Sequence, residues 1–357
     1  MPTLQLPGLI DVHVHLREPG GEHKEDITSG TAAALAGGVT MVLDMPNTYP
    51  PLVDEQSLAL KYQLARQKTL CDVGFYVGAT ATNASEIALL AGQAAGLKIY
   101  LDRTYGPLRM DSLTALLAHF RAWPVDRPIA VHAEGLSVAL AIGLARIYGR
   151  RLHLCHISRA DEIALIRAAK ESGASLTCEV TPHHLLLTEA DARRLRPFGS
   201  MKPPLASEAD VSALWANLDV VDCIATDHAP HTRAEKEGES PPPGVPGLET
   251  MLPLLLTAVA EGRLTLEQLV RLTHAMPRQI FGLPVQSDTQ IEVDTEARFT
   301  LSHEDQHTKC GWTPFVGMAV QGRVRRVVLR GQVAYEQGRI RVQPGFGQVI
   351  RPVRCET

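Results

Sequence analysis

Eight short apolar runs, each followed by a segment with helical periodicity, constrain the fold of this chain most strongly. The runs cover residues 8–15, 38–44, 71–78, 96–101, 128–132, 151–157, 174–180 and 219–226. The segments between them, such as 25–36, 57–68, 85–95, 136–148 and 160–172, repeat apolar residues at helical spacing. Most runs are apolar on both faces, which is typical of parallel strands buried between helices. The pattern predicts an α/β fold, a (β/α)8 TIM barrel, over residues 1–285.

The C-terminal part of the sequence has a different pattern. Short alternating runs occupy residues 298–301, 324–329, 332–335 and 339–342. Alternation of this kind indicates strands with one exposed face. A chain of 357 residues with 45% apolar content is long enough for a barrel and a further small part. We therefore predict an accessory β subdomain over residues 286–357 that packs on the barrel.

Charge and composition argue against several classes of partner. The net charge of −4 gives no electrostatic reason to expect binding to nucleic acid or to an anionic membrane. The N-terminus lacks the basic and apolar regions of a signal peptide, and no apolar run approaches the length of a bilayer span. The six cysteines (residues 71, 155, 178, 223, 310 and 355) are too few for a disulfide scaffold, and several lie in apolar runs. These features predict a cytoplasmic protein.

Polar side chains gather at the ends of the predicted strands, where a (β/α)8 barrel carries its chemistry. Taken in chain order, the residues at these ends are His13, His15, Asp44, Asn47, Lys98, His132, Cys155, His156, Glu179, His183, His184, Asp227 and His231. Any one of them has an ordinary structural explanation, such as a surface lysine, a hydrogen-bonded core histidine or a helix cap. Agreement at seven strand ends instead predicts a common site.

The first run suggests what this site binds. His13 and His15 are two residues apart, so in a strand both imidazoles point to the same face. Neutral imidazole is a good ligand for zinc and similar ions. Arg17 follows directly and can meet an anion. This combination predicts a metal-dependent hydrolase.

Seven motifs carry a resemblance to a known family. They are DVHVHLREPG (11–20), DMPNT (44–48), GLKIY (96–100), VHAE (131–134), LCHI (154–157), CEVTPHH (178–184) and TDHAPH (226–231). They resemble the amidohydrolase superfamily and, within it, the dihydroorotases. Residues 241–259 and 325–335 are similar to the dihydroorotase domain of the animal trifunctional pyrimidine protein in particular. The resemblance, which covers nearly the whole chain, implies reversible interconversion of N-carbamoyl-L-aspartate and L-dihydroorotate in de novo pyrimidine (UMP) biosynthesis.

The resemblance also implies a set of metal ligands. It assigns His13, His15 and Asp227 to a first zinc ion and His132 and His156 to a second. Lys98, carboxylated on its amine by CO₂, would bridge the two ions, since a free ammonium has no lone pair for a metal. Asp227 would also carry a proton from the attacking water to the leaving nitrogen. Cys155 and Glu179, with a neighbouring histidine, either hold a third zinc ion or are a buried apolar residue and a carboxylate that orients His156.

Substrate contacts follow from the same resemblance. The implied contacts are Arg17 to the α-carboxylate, Asn47, His231, Lys202, backbone groups near Pro243 and Gly244, and Thr104 and Tyr105 in a mobile lid over residues 102–109. The chain departs from the animal domain at two of these positions. Lys202 stands where that domain has arginine, which keeps the charge but loses the bidentate fork. Tyr105 stands where phenylalanine is expected, which should preserve ring packing.

Two other functions remain open from the sequence. Dihydropyrimidinases, hydantoinases and allantoinases share the metal residues, although Arg17 with Asn47 fits a substrate that bears a carboxylate better. A non-catalytic scaffold of the superfamily would lack some of the six metal residues, and all six are present. The resemblance further implies a small-molecule substrate and a homodimer. The bare N-terminal start suggests a domain excised from a multifunctional polypeptide.

Overall fold

The computed structural model describes residues 3–304 and 306–353. Its strands are β1 (Thr3–Pro7), β2 (Leu9–Val14), β3 (Val39–Asp44), β4 (Asp72–Phe75), β5 (Val77–Gly78), β6 (Leu97–Tyr100), β7 (Ile129–His132), β8 (Leu152–Leu154), β9 (Leu176–Val180), β10 (Cys223–Ile224), β11 (Gln290–Thr300), β12 (Ala319–Leu329), β13 (Gln332–Glu336) and β14 (Arg339–Ile340).

Helices alternate with these strands through most of the chain. They are α1 (Ile27–Ala36), α2 (Glu55–Lys68), α3 (Ala84–Ala88), α4 (Leu113–Ala122), α5 (Leu136–Tyr148), α6 (Ala160–Glu171), α7 (Pro182–Leu186), α8 (Glu189–Leu195), α9 (Glu208–Ala216), α10 (Arg233–Lys236), α11 (Met251–Ala260), α12 (Leu266–Val270) and α13 (Met276–Phe281). A 3₁₀ turn spans Arg196–Gly199, and a π-helical turn spans Arg271–Ala275. No helix in these described residues is both long and apolar enough to cross a bilayer.

Strands β2 to β10 form the wall of a parallel barrel. One stretch of the wall has the order β2–β3–β4 and the other β5–β6–β7–β8–β9–β10. Tyr76 separates β4 from β5, so these two strands together make the third of eight barrel strands. The ring closes where His15 N donates to His228 O at 2.8 Å, beside the parallel bridge between Val14 and His228. The predicted (β/α)8 barrel is confirmed.

Alternation along the barrel strands separates the core from the site. Ile99 and Val131 pack in the large apolar cluster between strands and helices. Their neighbours Lys98 and His132 point to the opposite face, because successive side chains in a strand alternate. This geometry directs the polar side chains of several strands toward the barrel axis.

The accessory sheet is antiparallel and has the order β1–β11–β12–β13–β14. Its edge strand β1 comes from the N-terminus, with Leu6 opposite Ile291. We therefore propose a boundary in which residues 3–7 lie on the accessory side, although the sequence pattern predicts that they belong to the barrel. β12 packs closely on α11: Gly322 has a φ of 94°, and a Cβ at this position would overlap Leu256.

The segment between β11 and β12 returns to the barrel mouth. Trp312 is fully buried, and its Nε1–H donates to His231 O at 2.7 Å. Its ring packs edge-on against Phe198, with centroids 5.0 Å apart. The accessory part therefore supports a residue of the candidate site directly.

The cysteines of the described residues are buried free thiols at positions 71, 155, 178, 223 and 310. The sixth cysteine, Cys355, lies outside the described residues.

Candidate active site

The carboxyl ends of the barrel strands bring the predicted metal residues together. They are supplied by β2, β6, β7, β9 and the residues that follow β2, β8 and β10: His13, His15, Lys98, His132, Cys155, His156, Glu179 and Asp227. Every one of these side chains is buried. The barrel thus collects at one mouth residues that are spread over more than two hundred positions of the sequence.

Asp227 is the centre of the first group. Its Oδ1 lies 3.0 Å from His15 Nε2 and 3.3 Å from His13 Nε2. The ligand atoms of His13, His156 and Asp227 all lie within 4.8 Å of one another. This spacing allows a single cation to be bound by all three side chains.

Asn47 orients the His15 ring toward this centre. The Asn47 Nδ2–H donates to Tyr105 O at 3.1 Å, which leaves Oδ1 facing His15 Nδ1 at 2.7 Å. The His15 Nδ1–H can therefore donate to Asn47, and the lone pair of Nε2 is directed at Asp227. Partners of this kind fix the tautomer of a metal-ligating histidine.

The second group contains His132 and His156. His132 Nδ1 lies 2.9 Å from His156 Nε2, so the two facing nitrogens can share one ion. Burial lowers the pKa of His132, and burial together with the nearby His132 holds the pKa of His156 well below its ordinary value. Both rings are therefore neutral, which is the form that binds metals.

Lys98 lies beside these two groups without a carboxylate partner. Its Nζ is fully buried and donates to Cys155 Sγ at 2.9 Å. None of the ion pairs among residues 3–304 and 306–353 involves Lys98. A buried ammonium without a counter-charge is costly. Conversion of this ammonium to an anion beside bound metal ions would remove that cost.

The pKa shifts of the site reflect the attraction between its buried carboxylates and positive charge. Burial opposes ionisation of Asp227, but His13 and His15 hold the pKa of its carboxyl well below the ordinary value. Burial likewise disfavours a charged His13, yet the carboxylates of Glu179 and Asp227 raise its pKa to about 10. Burial lowers the pKa of His15 to about 4. A cation is therefore favoured at this centre, and these ligands fit a divalent metal ion.

Glu179 contacts two of the implied ligands. Its Oε1 is hydrogen-bonded to the His13 Nδ1 and accepts from His156 N at 3.1 Å. The ligand atoms of His13, Cys155 and Glu179 also lie within 4.8 Å of one another. The carboxylate therefore orients the ring of His13 and the backbone of His156, and the same three residues can hold a further ion.

Arg17 belongs to a cluster of cationic side chains around His231, next to the first group. It is buried with a φ of 63°, and its Nε–H donates to Pro230 O at 3.1 Å. No ion pair within the described residues includes Arg17. The backbone of the preceding residue, Leu16, is held by Asp44, whose Oδ1 accepts from Leu16 N at 2.8 Å and whose Oδ2 is paired with the buried Lys61 at 2.6 Å. The site thus presents a fixed guanidinium that lacks an anionic partner.

Two of the other predicted substrate residues, His231 and Tyr105, lie beside Arg17. His231 is buried and Nε2 lies 3.0 Å from Pro243 O. The Tyr105 ring is 5.0 Å from the His231 ring, and its centroid is 5.2 Å from the Arg17 guanidinium carbon. Lys202 is partly buried. Burial raises the pKa of Glu134, but His132 and, to a smaller extent, Lys202 lower it below its ordinary value. Thr104 is partly buried in the lid segment.

Two further residues, Asp11 and Lys24, contact site residues and were not predicted from the sequence. Asp11 accepts hydrogen bonds from His13 N at 3.1 Å and from Thr226 Oγ1 at 2.5 Å. Its position two residues before His13 is a signal that could have revealed it. Lys24 contacts Tyr105 and His231, which are 81 and 207 positions away, and no local pattern announces such contacts.

A (β/α)8 barrel with histidines, a lysine and carboxylates at its mouth defines a metal-binding hydrolase as the class of protein. The Amidohydrolase family model matches residues 4–334. The chain belongs to the amidohydrolase family.

Two curated relatives narrow the comparison. The chain is 55% identical over 349 residues to the multifunctional protein CAD of Squalus acanthias, covering 98% of this chain and 16% of that protein. It is 38% identical to a dihydroorotase of Pyrococcus furiosus, covering 97% of this chain and 85% of the relative. The chain thus spans about one sixth of the multifunctional relative and most of the shorter one.

Solved structures share the fold over nearly the full length. The L-hydantoinase of Arthrobacter aurescens superimposes with a TM-score of 0.93 at 27% identity, covering 98% of this chain and 89% of that chain. The inactive dihydroorotase-like domain of a CAD-like multifunctional protein from Chaetomium thermophilum gives a TM-score of 0.84 at 30% identity, covering 98% and 99%.

Proposed function

We propose that the chain is a zinc-dependent dihydroorotase, which interconverts N-carbamoyl-L-aspartate and L-dihydroorotate plus water. The observation that carries this proposal is the convergence of six metal-type residues on one mouth beside the unpaired guanidinium of Arg17. Relatives named dihydroorotase that match the chain over nearly its full length support the same reaction. The six residues are His13, His15, Lys98, His132, His156 and Asp227.

The residues fit two divalent ions. His13, His15 and Asp227 would hold one, His132 and His156 the other, and a carboxylated Lys98 would lie between the two groups. When bound, such ions lower the pKa of water and polarise the carbonyl under attack. Carboxylation of Lys98 would replace a buried cation by an anion with two oxygens. The Cys155–Glu179 pair, with His13, supports a third ion, but the hydrogen bonds of Glu179 are equally explained by orientation of its neighbours.

Asp227 moves the proton. Its low pKa keeps the carboxylate ionised at neutral pH, so in the direction of hydrolysis it starts as an acceptor. It takes the proton of the attacking water and delivers it to the ring nitrogen that leaves. Condensation uses the same steps in reverse: the ureido nitrogen gives up its proton to Asp227 as it attacks the side-chain carboxyl carbon, and water leaves.

Arg17 supplies specificity for an anionic substrate. A buried guanidinium without a carboxylate partner is expected to be completed by a bound anion. Dihydroorotate and N-carbamoyl-L-aspartate both carry an α-carboxylate. Hydantoin and dihydrouracil carry none, which favours dihydroorotase over the hydantoinase alternative. The inactive Chaetomium thermophilum domain keeps the scaffold alternative relevant, but the six metal-type residues are all present in this chain.

We further propose that the protein is a cytoplasmic homodimer, in which each copy acts as one domain of a longer polypeptide. Leu136, Leu140 and Ile147 lie at helical spacing along α5, with 90%, 43% and 73% of each residue exposed. Such a row on one helix face supports self-association. Sedimentation of the protein should give twice the 38.8 kDa chain mass, and a single-chain mass would contradict the dimer.

The decisive experiment combines metal content with substrate choice. The purified protein should contain at least two zinc ions per chain and should open dihydroorotate, as followed by its absorbance. Hydantoin and dihydrouracil should be turned over far more slowly, because neither can satisfy Arg17. Metal without turnover of any of the three would favour the scaffold function, and preference for hydantoin would favour the hydantoinase function.

Replacement of Lys202 by arginine tests the second cationic contact. If Lys202 meets the substrate carboxylate, Lys202→Arg should lower KM in at least one direction, because a bidentate pair is stronger than a point contact. The gain should be about 1 kcal/mol, or several-fold in affinity. Since the contact holds ground state and transition state alike, kcat should change less than KM. Steady-state kinetics in both directions provide the measurement.

Arg17→Lys is the control for this variant. It removes the bidentate fork of Arg17 and should raise KM above the parent value. An unchanged KM in Lys202→Arg, together with a large increase in Arg17→Lys, would show that Arg17 binds the carboxylate without Lys202.

A further inference from the structure

His231 is surrounded by three cationic side chains, those of Arg17, Lys24 and Lys236. Arg17 Nη2 lies 3.1 Å from its Nε2 and Lys24 Nζ lies 3.2 Å from its Nδ1. Burial, followed by the charges of Arg17, Lys24 and Lys236, holds the pKa of His231 well below its ordinary value. The facing acid is Glu235, whose Oε2 is 3.9 Å from Nδ1. The ring is therefore neutral, and its single N–H proton is on either Nδ1 or Nε2.

The contacts of the ring select one tautomer. An ammonium group can only donate, so Nδ1 of His231 must accept from Lys24 and cannot carry the proton. The proton is then on Nε2, which donates to Pro243 O at 3.0 Å. In this tautomer Nε2 cannot accept from Arg17, and the Arg17 Nη2 remains available to a ligand.

Lys24 also contacts the lid. Its buried Nζ donates to Tyr105 Oη at 2.9 Å and pairs with Glu235 Oε1 at 2.9 Å. It lies 4.5 Å from the centre of the Tyr105 ring. A phenylalanine at position 105 could not accept the hydrogen bond, so the bond to the hydroxyl depends on the tyrosine of this chain. One ammonium thus joins His231, the lid segment and the helix that contains Glu235.

We propose that Lys24 is a positioning residue that fixes His231 as its Nε2–H tautomer and ties the lid segment to His231 through Tyr105. This inference rests on the proposed function, because it concerns groups assigned to substrate binding. Removal of the ammonium would leave the Glu235 carboxylate facing Nδ1. The Nδ1–H tautomer then becomes favourable, with Nε2 accepting from Arg17. Both substrate-binding groups would be turned toward each other and away from the substrate.

The tautomer can be measured without any catalytic activity. Nitrogen-15 NMR of histidine side chains, assigned with His231→Asn, should show the Nε2–H form of His231 in the parent protein. Lys24→Met should shift the signals toward the Nδ1–H form, whereas Lys24→Arg should retain the parent form because a donor remains. Identical His231 signals in the parent and Lys24→Met would overturn the proposal.

Kinetics separate positioning from general support of the backbone. Lys24→Met should raise KM for dihydroorotate roughly tenfold, as expected for loss of charge-assisted hydrogen bonds, with a smaller change in kcat. Tyr105→Phe should raise KM less and leave the tautomer unchanged. The matched control is Lys309→Met: Lys309 holds the same segment through Glu22 O at 2.7 Å and through Asp26, but does not reach the lid.

The outcomes distinguish the inference from the function on which it rests. A KM increase in Lys309→Met equal to that in Lys24→Met would show that Lys24 only anchors residues 22–26, and the inference would be wrong. A parent protein without turnover of dihydroorotate would refute the proposed function, and the NMR comparison would still decide the role of Lys24.

Discussion

Lys98→Ala is expected to abolish turnover of dihydroorotate and to lower the zinc content. The parent lysine is fully buried beside Cys155 and close to three histidines, and it forms no ion pair with an acidic residue in the part of the chain that the structure describes. The proposed function uses it as a carboxylate between two metal groups. Alanine removes that anion, so both groups should bind metal less tightly. Turnover and elemental analysis on the same samples provide the measurement.

Two comparisons make this expectation specific. Lys98→Arg keeps a cation that cannot be carboxylated, and it should be as inactive as Lys98→Ala. Short carboxylic acids such as acetate should restore part of the activity of Lys98→Ala, because a small anion can enter the space left by the side chain, but not that of Lys98→Arg. Full activity of Lys98→Ala without added acid would refute a role for this lysine.

Asp227→Asn should retain the fold and much of the metal but lose a factor of about 10² to 10⁴ in kcat, as is typical for removal of a general acid–base group. The amide oxygen can still face His13 and His15, which lie 3.3 and 3.0 Å from the parent carboxylate. It cannot accept and return a proton at neutral pH. Rates should be measured in both directions, because one residue is assigned to both.

Asp222→Asn is the matched control for Asp227→Asn. Asp222 precedes β10, whereas Asp227 follows it. The Asp222 carboxylate therefore lies at the other end of the strand from the mouth, where it pairs with Lys170 Nζ at a distance of 2.5 Å. This substitution should lower thermal stability and leave kcat close to the parent value. Near-parent turnover in Asp227→Asn would mean that another group carries the proton.

The sequence predicted the barrel and its metal-type residues because both depend on short-range patterns. Apolar runs that are buried on both faces become parallel strands, and the carboxyl ends of parallel strands meet at one mouth. His13 and His15 share a face because side chains in a strand repeat every two residues. Lys98 and Asp227 each have an ordinary structural explanation when taken alone, and they were assigned to the site by their agreement with the other strand ends and by the family resemblance.

Features that depend on distant parts of the chain were not predictable in this way. Residues 3–7 look like the start of the barrel, yet β1 pairs with β11 in the accessory sheet. The predicted run 71–78 is broken at Tyr76, whose N–H donates to Asp44 O at 3.0 Å. The contacts of Lys24 join three separate segments. Each of these features is set by packing between elements and not by local periodicity.

The pairing of β1 with β11 has a consequence for how the chain acquires its fold. Within the described residues, β1 precedes every strand of the barrel, and its partner β11 follows the last of them, so β11 is synthesised only after the whole barrel. Contacts between residues so far apart in sequence form slowly, since a very long loop must close. We therefore expect the barrel to assemble first and the accessory sheet to close last. Until then, the N-terminal strand is an exposed edge that other chains can capture.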